Sequence, residues 1–281
     1  MGLRVNTNVA SLNAQRHLYN TTTRFGKSME RLSSGLRINR SGDDAAGLAI
    51  SESLKSDIRA LQQASRNAAD GISLVQTAEG SLDEVNNILL RLRELAEQSA
   101  TETLGEEERT YLDAEFQELL DEINRISATA EFNGIKLLDG TALQLRVQVG
   151  IGTDASTSAV TIDLTQAMSA SALNLTAGTL SIAGTNGDAA RAAIGNITAA
   201  TGTVSSMRAD FGAAQNRFET SIRNIGMTAE NLSAANSRIR DVDVALETST
   251  MTSLQILQQA GVSILGQANA TSQLALNLLQ G

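Results

Sequence analysis

From Glu52 to Ala100 the chain reads ESLKSDIRALQQASRNAADGISLVQTAEGSLDEVNNILLRLRELAEQSA. With Ser65 included, its apolar positions recur at steps of three and four: Leu54, Ile58, Leu61, Ala68, Ile72, Val75, Ala78, Leu82, Val85, Leu89, Leu92 and Ala96. A period near 3.5 residues is typical of a helix that packs lengthwise along other helices. Gly71 and Gly80 weaken such a helix, and Ser81 with Glu84 forms a capping box at which it could break. The stripe nevertheless crosses this site without losing phase by more than one residue. We therefore predict one long helix.

Two further stretches carry a helical period. One begins near Gly105, where three glutamates suit the positive end of a helix dipole, and it ends before the turn sequence Phe132-Asn133-Gly134. The other begins at Asp188 and continues to about Ile239. Asp43 and Asp44 precede an expected helix start near Ala45, where we expect them to cap the helix. The fold class that follows is mainly α, an elongated antiparallel bundle of long helices.

Between these helices the apolar pattern changes to alternation. The alternating apolar residues are Leu143, Leu145, Val147 and Val149, and then Val160, Ile162 and Leu164. This pattern predicts a small β-hairpin at about 142–165. The following segment, 165–187, is short, weakly patterned and rich in Ser, Thr, Ala and Gly, with Leu180 and Ile182 as candidates for a short edge strand.

The two ends are apolar-periodic and oppositely charged. Residues 1–42 hold seven basic residues and one acidic residue, whereas residues 241–281 hold three acidic residues and no basic one. We expect 1–42 and 241–281 to pair as a coiled coil in one discontinuous terminal domain that orders on assembly, and 43–240 to form the helical bundle. The apolar residues that we expect to carry polymerisation are Leu3, Val5, Val9, Leu12, Leu254, Leu257, Ile264, Leu265, Leu274 and Leu278.

Composition argues against several functional classes. The chain has one histidine, His17, and no cysteine, so we predict no enzyme, no metal site and no cofactor. A net charge of −9 argues against nucleic acid as a partner. No apolar run approaches the roughly 20 residues that span a bilayer, so no membrane insertion is expected.

Several motifs closely resemble those of bacterial flagellins. They are Glu30-Arg-Leu-Ser-Ser-Gly-Leu-Arg-Ile-Asn39, Asp43-Asp-Ala-Ala-Gly47, Gln63-Ala-Ser-Arg-Asn-Ala-Ala-Asp-Gly-Ile72, Ser237-Arg-Ile-Arg-Asp-Val-Asp243 and Gln255-Ile-Leu-Gln-Gln-Ala-Gly261. The motifs are long, specific and in the family's order, and the resemblance covers about 1–165 and 188–281. Only about twenty residues occupy the place of the family's variable outer domains, so the chain resembles a minimal flagellin.

This resemblance implies a subunit of the flagellar filament used for swimming. It implies type III export without a cleaved signal peptide, an extracellular location, and polymerisation with other copies under a cap protein. Hook-junction proteins and an export chaperone would be further partners. The terminal segments, disordered in the monomer, would form the inner tube, and 43–240 would form the outer tube. The alternatives are a hook–filament junction protein and a monomeric secreted helical binding module.

The same resemblance implies recognition by Toll-like receptor 5. The family's receptor segment matches Leu90 to Gln98, with Arg91 and Leu95 at key positions and Glu115 on the next helix. Glu97 stands where the family commonly has an apolar residue, which is a departure from the pattern. A leucine on this helix also has a simpler role, which is packing within the bundle.

Overall fold

The computed structural model describes residues 7–141 and 144–280, with side chains as far as residue 271. The chain is mainly α. In order, its elements are α1 (Val9–Ser34), α2 (Ala45–Ser99), α3 (Glu106–Thr129), β1 (Glu131–Phe132), β2 (Ile135–Lys136), β3 (Gln144–Gln148), α4 (Ala155–Ser158), β4 (Ala159–Asp163), α5 (Asp188–Arg240) and α6 (Val244–Gln280). None of the helices in the described residues is long and apolar enough to cross a membrane.

The chain divides into two compact units. The terminal unit lies within residues 1–56 and 231–281, and the central unit comprises residues 57–230. Both divisions fall inside helices α2 and α5, whereas the sequence analysis placed them near helix ends, at 42/43 and 240/241. The assignment of the ends and the middle to an inner and an outer tube stays a prediction.

Helix α2 confirms the prediction made from the long apolar stripe. It runs for 55 residues without interruption through Gly71 and Gly80. The backbone N–H of Gly47 donates to Asp44 Oδ1 at 2.8 Å, so Asp44 caps the first turn as expected. Packing explains the glycine at position 71, because a Cβ there would lie 2.8 Å from the ring of Phe218 on α5. A Cβ at Gly80 would meet nothing.

One hydrophobic core fills the central unit. Its fully buried members come from all three long helices and include Leu82, Leu89 and Leu92 of α2, Phe116 and Leu120 of α3, and Phe211 and Phe218 of α5. The aliphatic stripe predicted for α2 is therefore largely the face that packs on α3 and α5. Aromatic rings are few in this core, which is mostly aliphatic.

Two antiparallel hairpins follow α3. The first joins β1 to β2 through Asn133 and Gly134, whose φ angles of 50° and 78° are those of a tight type I′ turn. The second pairs β3 with β4 in a register that sets Leu145 opposite Ile162 and Val147 opposite Val160. The inward-facing residues of β4 are buried in the central core, which fixes this hairpin against the helices.

Residues 170–185 form an irregular segment that we call the strap. Four of its backbone groups bond side chains of α3. Asn124 accepts from the Ala170 N–H (2.9 Å), and Asp113 accepts from the Ile182 N–H (2.7 Å). Gln117 accepts from the Gly178 N–H (2.8 Å) and donates to the Leu180 carbonyl (2.9 Å). These partners run antiparallel to the strap. The strap's own side chains Leu173, Leu175 and Ile182 are buried.

The edge strand considered for Leu180 and Ile182 was wrong. Neither residue lies in a strand. Side chains of α3 bond the Leu180 carbonyl and the Ile182 N–H. The Leu180 N–H donates to the Thr176 carbonyl, and the Ile182 carbonyl accepts from Ser99 Oγ of α2. Arg109 completes this arrangement and is 2% exposed. Its guanidinium donates to the carbonyls of Ser99 (2.9 Å) and Thr101 (2.8 Å) at the end of α2, and of Gly184 (3.3 Å) and Thr185 (3.1 Å) in the strap. A cation at this end of α2 also suits the helix dipole.

Candidate assembly interface

Helices α1 and α6 pack against each other as an antiparallel pair. Contacts at both ends and in the middle join Asn8 Nδ2 to the Ala268 carbonyl (2.8 Å), Ser11 Oγ to Asn269 Oδ1 (2.8 Å), Gln258 Nε2 to Thr22 Oγ1 (3.3 Å) and Ser28 Oγ to Glu247 Oε1 (2.5 Å). Gly261 allows close approach, since a Cβ there would lie 3.3 Å from Leu18 Cδ1. The pairing expected of the two ends is therefore present in the structure.

The loop after α1 ties this pair to the other helices of the terminal unit. Gly35 ends α1 with φ of 72°, the left-handed conformation that glycine adopts without strain. Its carbonyl accepts from the Val242 N–H at 3.0 Å, and the Arg37 N–H donates to the Arg240 carbonyl at 2.6 Å. Ile38 then packs beneath the first turn of α2 and is 2% exposed. The loop is thus fixed by backbone hydrogen bonds and one apolar anchor.

Asp43, which the sequence analysis expected to cap α2 with Asp44, instead organises this loop. Its carboxylate accepts from Lys27 Nζ at 2.6 Å and from the N–H groups of Asn39 and Arg40, both at 3.2 Å. These bonds lower the pKa of Asp43 to about 2. The hydrogen bond from Lys27 is the main cause, and the two backbone hydrogen bonds add to it. The carboxylate is therefore ionised at neutral pH and holds α1 to the start of α2.

The predicted assembly residues divide into two groups. Leu254 is 7% exposed and Leu265 is half-buried, so these two stabilise the α1–α6 pair itself. Val9, Leu12, Leu257 and Ile264 are each 56% to 57% exposed and remain available to other molecules. Leu3 and Val5 lie outside the described residues, as do the side chains of Leu274 and Leu278.

The exposed apolar surface of the terminal unit extends beyond the residues predicted from the sequence. Its further members, each more than half exposed, are Tyr19, Met29, Ile50, Val244, Leu246, Ile256 and Val262. Among the described hydrophobic side chains of this unit, only Ile38 and Leu254 are buried. A helix with apolar residues on several faces is normally buried in a larger structure, and exposed patches of this kind mark interaction sites. The aliphatic residues around most of α6 were the sequence feature that could have revealed this.

The three predicted receptor residues lie in the central unit. Arg91 Nη2 contacts Glu115 Oε1 at 2.8 Å, and Arg91 Nη1 contacts Glu94 Oε2 at 3.0 Å. The Arg91 and Glu115 side chains are each about half exposed, and the hydrogen bond to Glu115 is the main cause of a raised pKa for Arg91. Leu95 is 1% exposed and belongs to the central core. The structure thus brings Arg91 and Glu115 together on the surface and places Leu95 beneath it.

Among the described residues, no group of three or more His, Cys, Asp or Glu side chains could hold a metal ion. The acidic residues of the central unit are mostly exposed, and many of them pair with arginine at the surface, as Glu97 does with Arg93 at 3.0 Å. Such pairs contribute little to stability and keep the surface hydrated.

Comparison with known proteins agrees with this arrangement. Residues 5–142 match the bacterial flagellin N-terminal helical region, and residues 194–279 match the bacterial flagellin C-terminal helical region. The flagellin of Halalkalibacterium halodurans is 48% identical over 276 residues, which cover 98% of this chain and 99% of that protein.

Two further relatives align over nearly their whole length. The flagellin of Bacillus subtilis is 44% identical over 307 residues, covering 99% of this chain and 100% of the relative. The flagellar filament 33 kDa core protein of Treponema phagedenis is 42% identical over 288 residues, covering 98% and 99%. The chain therefore belongs to the bacterial flagellin family.

Proposed function

We propose that this flagellar filament subunit polymerises by burying the exposed apolar faces of α1 and α6 against other copies of itself. Flagellins are structural proteins, so the chain acts by assembly and is not an enzyme. The observation that carries the proposal is the exposure of Leu12, Leu257 and Ile264, each 57% exposed on the paired terminal helices.

Burial of these faces offsets the entropy lost on ordering the terminal helices. Full burial of an aliphatic side chain contributes about 1.5–3 kcal/mol, whereas ordering a residue costs about 1–2 kcal/mol in backbone entropy. A two-helix pair that leaves most of its large apolar side chains in water gains little to offset that cost. Neighbouring copies supply the missing burial, and head-to-tail contacts between unlike faces propagate into an open helical polymer.

The test replaces exposed apolar residues in each unit. Leu257→Ser with Ile264→Ser removes two of them from α6, and the matched control, Leu90→Ser with Ile151→Ser, removes two from the central unit, where they are 50% and 49% exposed. Filament fragments are added as seeds and growth is followed by sedimentation. We expect the α6 variant to remain a folded monomer and the control to elongate. Equal growth of both variants, or equal failure, would contradict the proposal.

A further part of the proposal concerns where the terminal and central parts of the chain lie within the filament. We propose that 1–42 and 241–281 line an inner tube and that 43–240 forms an outer tube of an extracellular filament, with a cap protein, hook-junction proteins and an export chaperone as partners. An electron cryomicroscopy map of assembled material tests this assignment. Helices α1 and α6 at large radius in that map would refute it.

Seeded growth also separates the two alternatives from a filament subunit. A monomeric secreted binding module would stay in the supernatant at every seed concentration. A hook–filament junction protein would bind to one end of the seeds without elongating them. Elongation by many added copies is expected only of a filament subunit.

Recognition by Toll-like receptor 5 is a second proposal, and the surface pair of Arg91 and Glu115 supports it. The pair links α2 to α3 and presents a half-exposed guanidinium and carboxylate to a protein partner. We expect Arg91→Ala to lower potency in a receptor reporter assay, with Arg93→Ala as the matched control on the same helix. Unchanged potency of Arg91→Ala would remove this residue from the interface. Leu95→Ala is less informative, because Leu95 is buried and its loss acts through stability.

A further inference from the structure

The chain contains two Asn-Gly pairs, Asn133-Gly134 and Asn186-Gly187. An asparagine that precedes glycine can lose its side-chain amide without an enzyme, because the glycine nitrogen can close a ring onto the side-chain carbonyl carbon. Glycine has no Cβ to hinder that attack. In a folded protein the reaction also requires that the asparagine side chain and the following peptide group are free to rotate toward each other. The structure gives the two pairs very different freedom.

The first pair forms the exposed tip of the β1–β2 hairpin. The strand pairing ends at Phe132 and Ile135, so the N–H groups of the two turn residues take no part in it. Within the part of the chain that the structure describes, the Asn133 side chain bonds no other protein group. A Cβ at Gly134 would meet nothing. The attacking nitrogen and the amide that leaves are therefore both unrestrained.

The hairpin behind this turn is short. Strands β1 and β2 have two residues each and form a two-stranded sheet, which is marginally stable at this length. Behind the turn, Lys136 Nζ pairs with Glu131 Oε2 at 2.6 Å, and the Leu137 N–H donates to the Ala130 carbonyl at 3.0 Å. The turn can therefore open locally, so that Asn133 rotates toward ring closure while the helices stay folded.

The second pair is restrained at both residues. Asn186 Nδ2 donates to Asp188 Oδ2 at 2.8 Å, and Asn186 Oδ1 accepts from the Asp188 N–H at 3.5 Å. Gly187 is buried, and a Cβ there would clash with the Ala100 carbonyl. The Gly187 carbonyl accepts from the Arg191 N–H at 3.0 Å in the first turn of α5. Ring closure at Asn186 therefore requires the start of α5 to unfold.

We propose that Asn133 is a site of spontaneous deamidation in the folded subunit, with water as the co-reactant. The Gly134 nitrogen gives up its proton to solvent and bonds to Asn133 Cγ. The Cγ–Nδ2 bond breaks, and Nδ2 takes up a proton and leaves as ammonia. Water then opens the resulting cyclic imide at either of its carbonyls. Opening at Cγ leaves an ordinary aspartate, whereas opening at the main-chain carbonyl leaves an isoaspartate whose main chain runs through Cβ and Cγ.

The two products affect the hairpin differently. Aspartate tolerates the left-handed conformation in which Asn133 has φ of 50°, so the turn survives with an added negative charge. Isoaspartate adds a methylene to the main chain between β1 and β2, and a two-residue turn cannot accept it without loss of the pairing of Phe132 with Ile135. The reaction needs no assembled filament, so it proceeds in the monomer whether or not the assembly proposal holds.

Peptide mapping by mass spectrometry of the aged full-length monomer tests the site. In the folded protein at mildly alkaline pH, Asn133 should deamidate at least about tenfold faster than Asn186, because the second reaction requires α5 to open. In denaturing urea the two rates should be comparable, because both asparagines precede glycine. Equal rates in the folded protein would overturn the proposal. The same ratio of rates in urea as in the folded protein would also overturn it, because the selection would then come from the sequence alone.

Asn133→Gly is the matched variant, because glycine adopts φ of 50° without strain and has no amide to lose. Protein isoaspartyl methyltransferase with labelled S-adenosylmethionine detects isoaspartate by methylating its free carboxylate. The aged wild-type monomer should accept label, and the fresh monomer and the aged Asn133→Gly variant should accept much less. Undiminished label in the aged variant would place the isoaspartate elsewhere in the chain and refute the assignment to Asn133.

Hydrogen exchange measures the effect on the hairpin. The Leu137 N–H, which bonds the Ala130 carbonyl, should exchange faster in the aged monomer in proportion to its isoaspartate content. Freshly prepared Asn133→Asp keeps the ordinary main chain, so exchange at Leu137 should match that of the fresh wild-type protein. Unchanged exchange in a monomer that contains isoaspartate would overturn the predicted opening of the hairpin.

Discussion

The terminal and central units use the same kinds of aliphatic side chain and bury them to very different extents. Leu82, Leu89 and Leu92 of the central unit are fully buried, whereas Leu12, Leu246 and Leu257 of the terminal unit are 57%, 68% and 57% exposed. The difference lies in the number of partners. In the central unit α2, α3, α5 and the strap surround one core, while α1 has α6 as its partner along its length. A stripe on a paired helix covers one face and leaves the others to water.

This comparison teaches that periodicity identifies a helix face but not its occupant. Leu254 and Leu257 are the same residue type three positions apart in one apolar helix, and they are 7% and 57% exposed. One contributes to the fold of the single chain, and the other is available to a neighbour. We expect substitutions to separate the two roles, with large losses of stability in the central unit and losses of assembly in the terminal unit.

The largest expected effect is in the central core. Phe218 is fully buried against Gly71, so Phe218→Ala should lower the free energy of unfolding by about 3–5 kcal/mol. Phe25→Ala, at a half-buried position on α1, should change the main unfolding transition by less than about 0.5 kcal/mol. Urea titrations followed by circular dichroism measure both. A comparable cost at Phe25 would show that the terminal unit contains a closed core of its own.

The second-largest loss of stability is expected on replacing the buried Arg109. Arg109→Met leaves the carbonyls of Ser99, Thr101 and Thr185 without their donor and should cost about 3 kcal/mol. Arg24→Met removes an exposed arginine of the terminal unit and should leave the melting temperature unchanged. Hydrogen exchange adds a local measurement, because the strap should lose protection in Arg109→Met. A fully protected strap in that variant would show that the α3 side chains alone retain it.

A pair of glycine substitutions on α2 should give effects of opposite sign. Gly80→Ala enters open space and should raise the free energy of unfolding by about 0.5–1 kcal/mol. Gly71→Ala places its methyl group 2.8 Å from the Phe218 ring and should lower it. Thermal and urea unfolding of the two variants provide the measurement. Equal stabilisation by both would mean that the core around Phe218 is looser than the distances indicate.

The smallest expected effect is the loss of the stabilising contribution of Asp43 in the terminal unit at low pH. The pKa of Asp43 is lowered to about 2, mainly by Lys27, so its carboxylate stabilises the folded state above its unfolded pKa of about 4. That contribution is lost as the pH falls from about 4 to 2. Asp43→Asn should be less stable at neutral pH and less sensitive to acid in that window, as measured by helical content. The same acid response in both proteins would assign it to other carboxylates.

Much of the fold was accessible from the sequence because its determinants are local. The stripe of α2 keeps its phase over many turns, the caps at Asp44 and Gly105 mark where helices begin, and the alternation around Val147 and Ile162 gives the hairpin. Each depends on residues close in sequence. The family resemblance added the assembly hypothesis, and the receptor residues stay a prediction.

The parts that could not be predicted depend on contacts distant in sequence. Arg109 follows three glutamates and reads as a hydrated surface residue, yet it lies beneath the strap. The strap has no hydrophobic period, and four of its backbone groups are bonded one at a time by α3 side chains. The strand considered for Leu180 and Ile182 failed for that reason. The different burial of Leu254 and Leu257 could not be predicted without knowing where α1 lies against α6.

The side-chain ladder that anchors the strap has a consequence for how the chain tolerates insertions and deletions. Between two β-strands, one added residue turns every later side chain to the opposite face of the sheet. Between the anchors at Ala170 and Gly178, extra residues can loop outward without a change of register. Asn124 bonds one backbone group there, and Gln117 bonds the Gly178 N–H and the Leu180 carbonyl beyond it. Segments of very different size can therefore be accommodated here without disturbing the helices beneath.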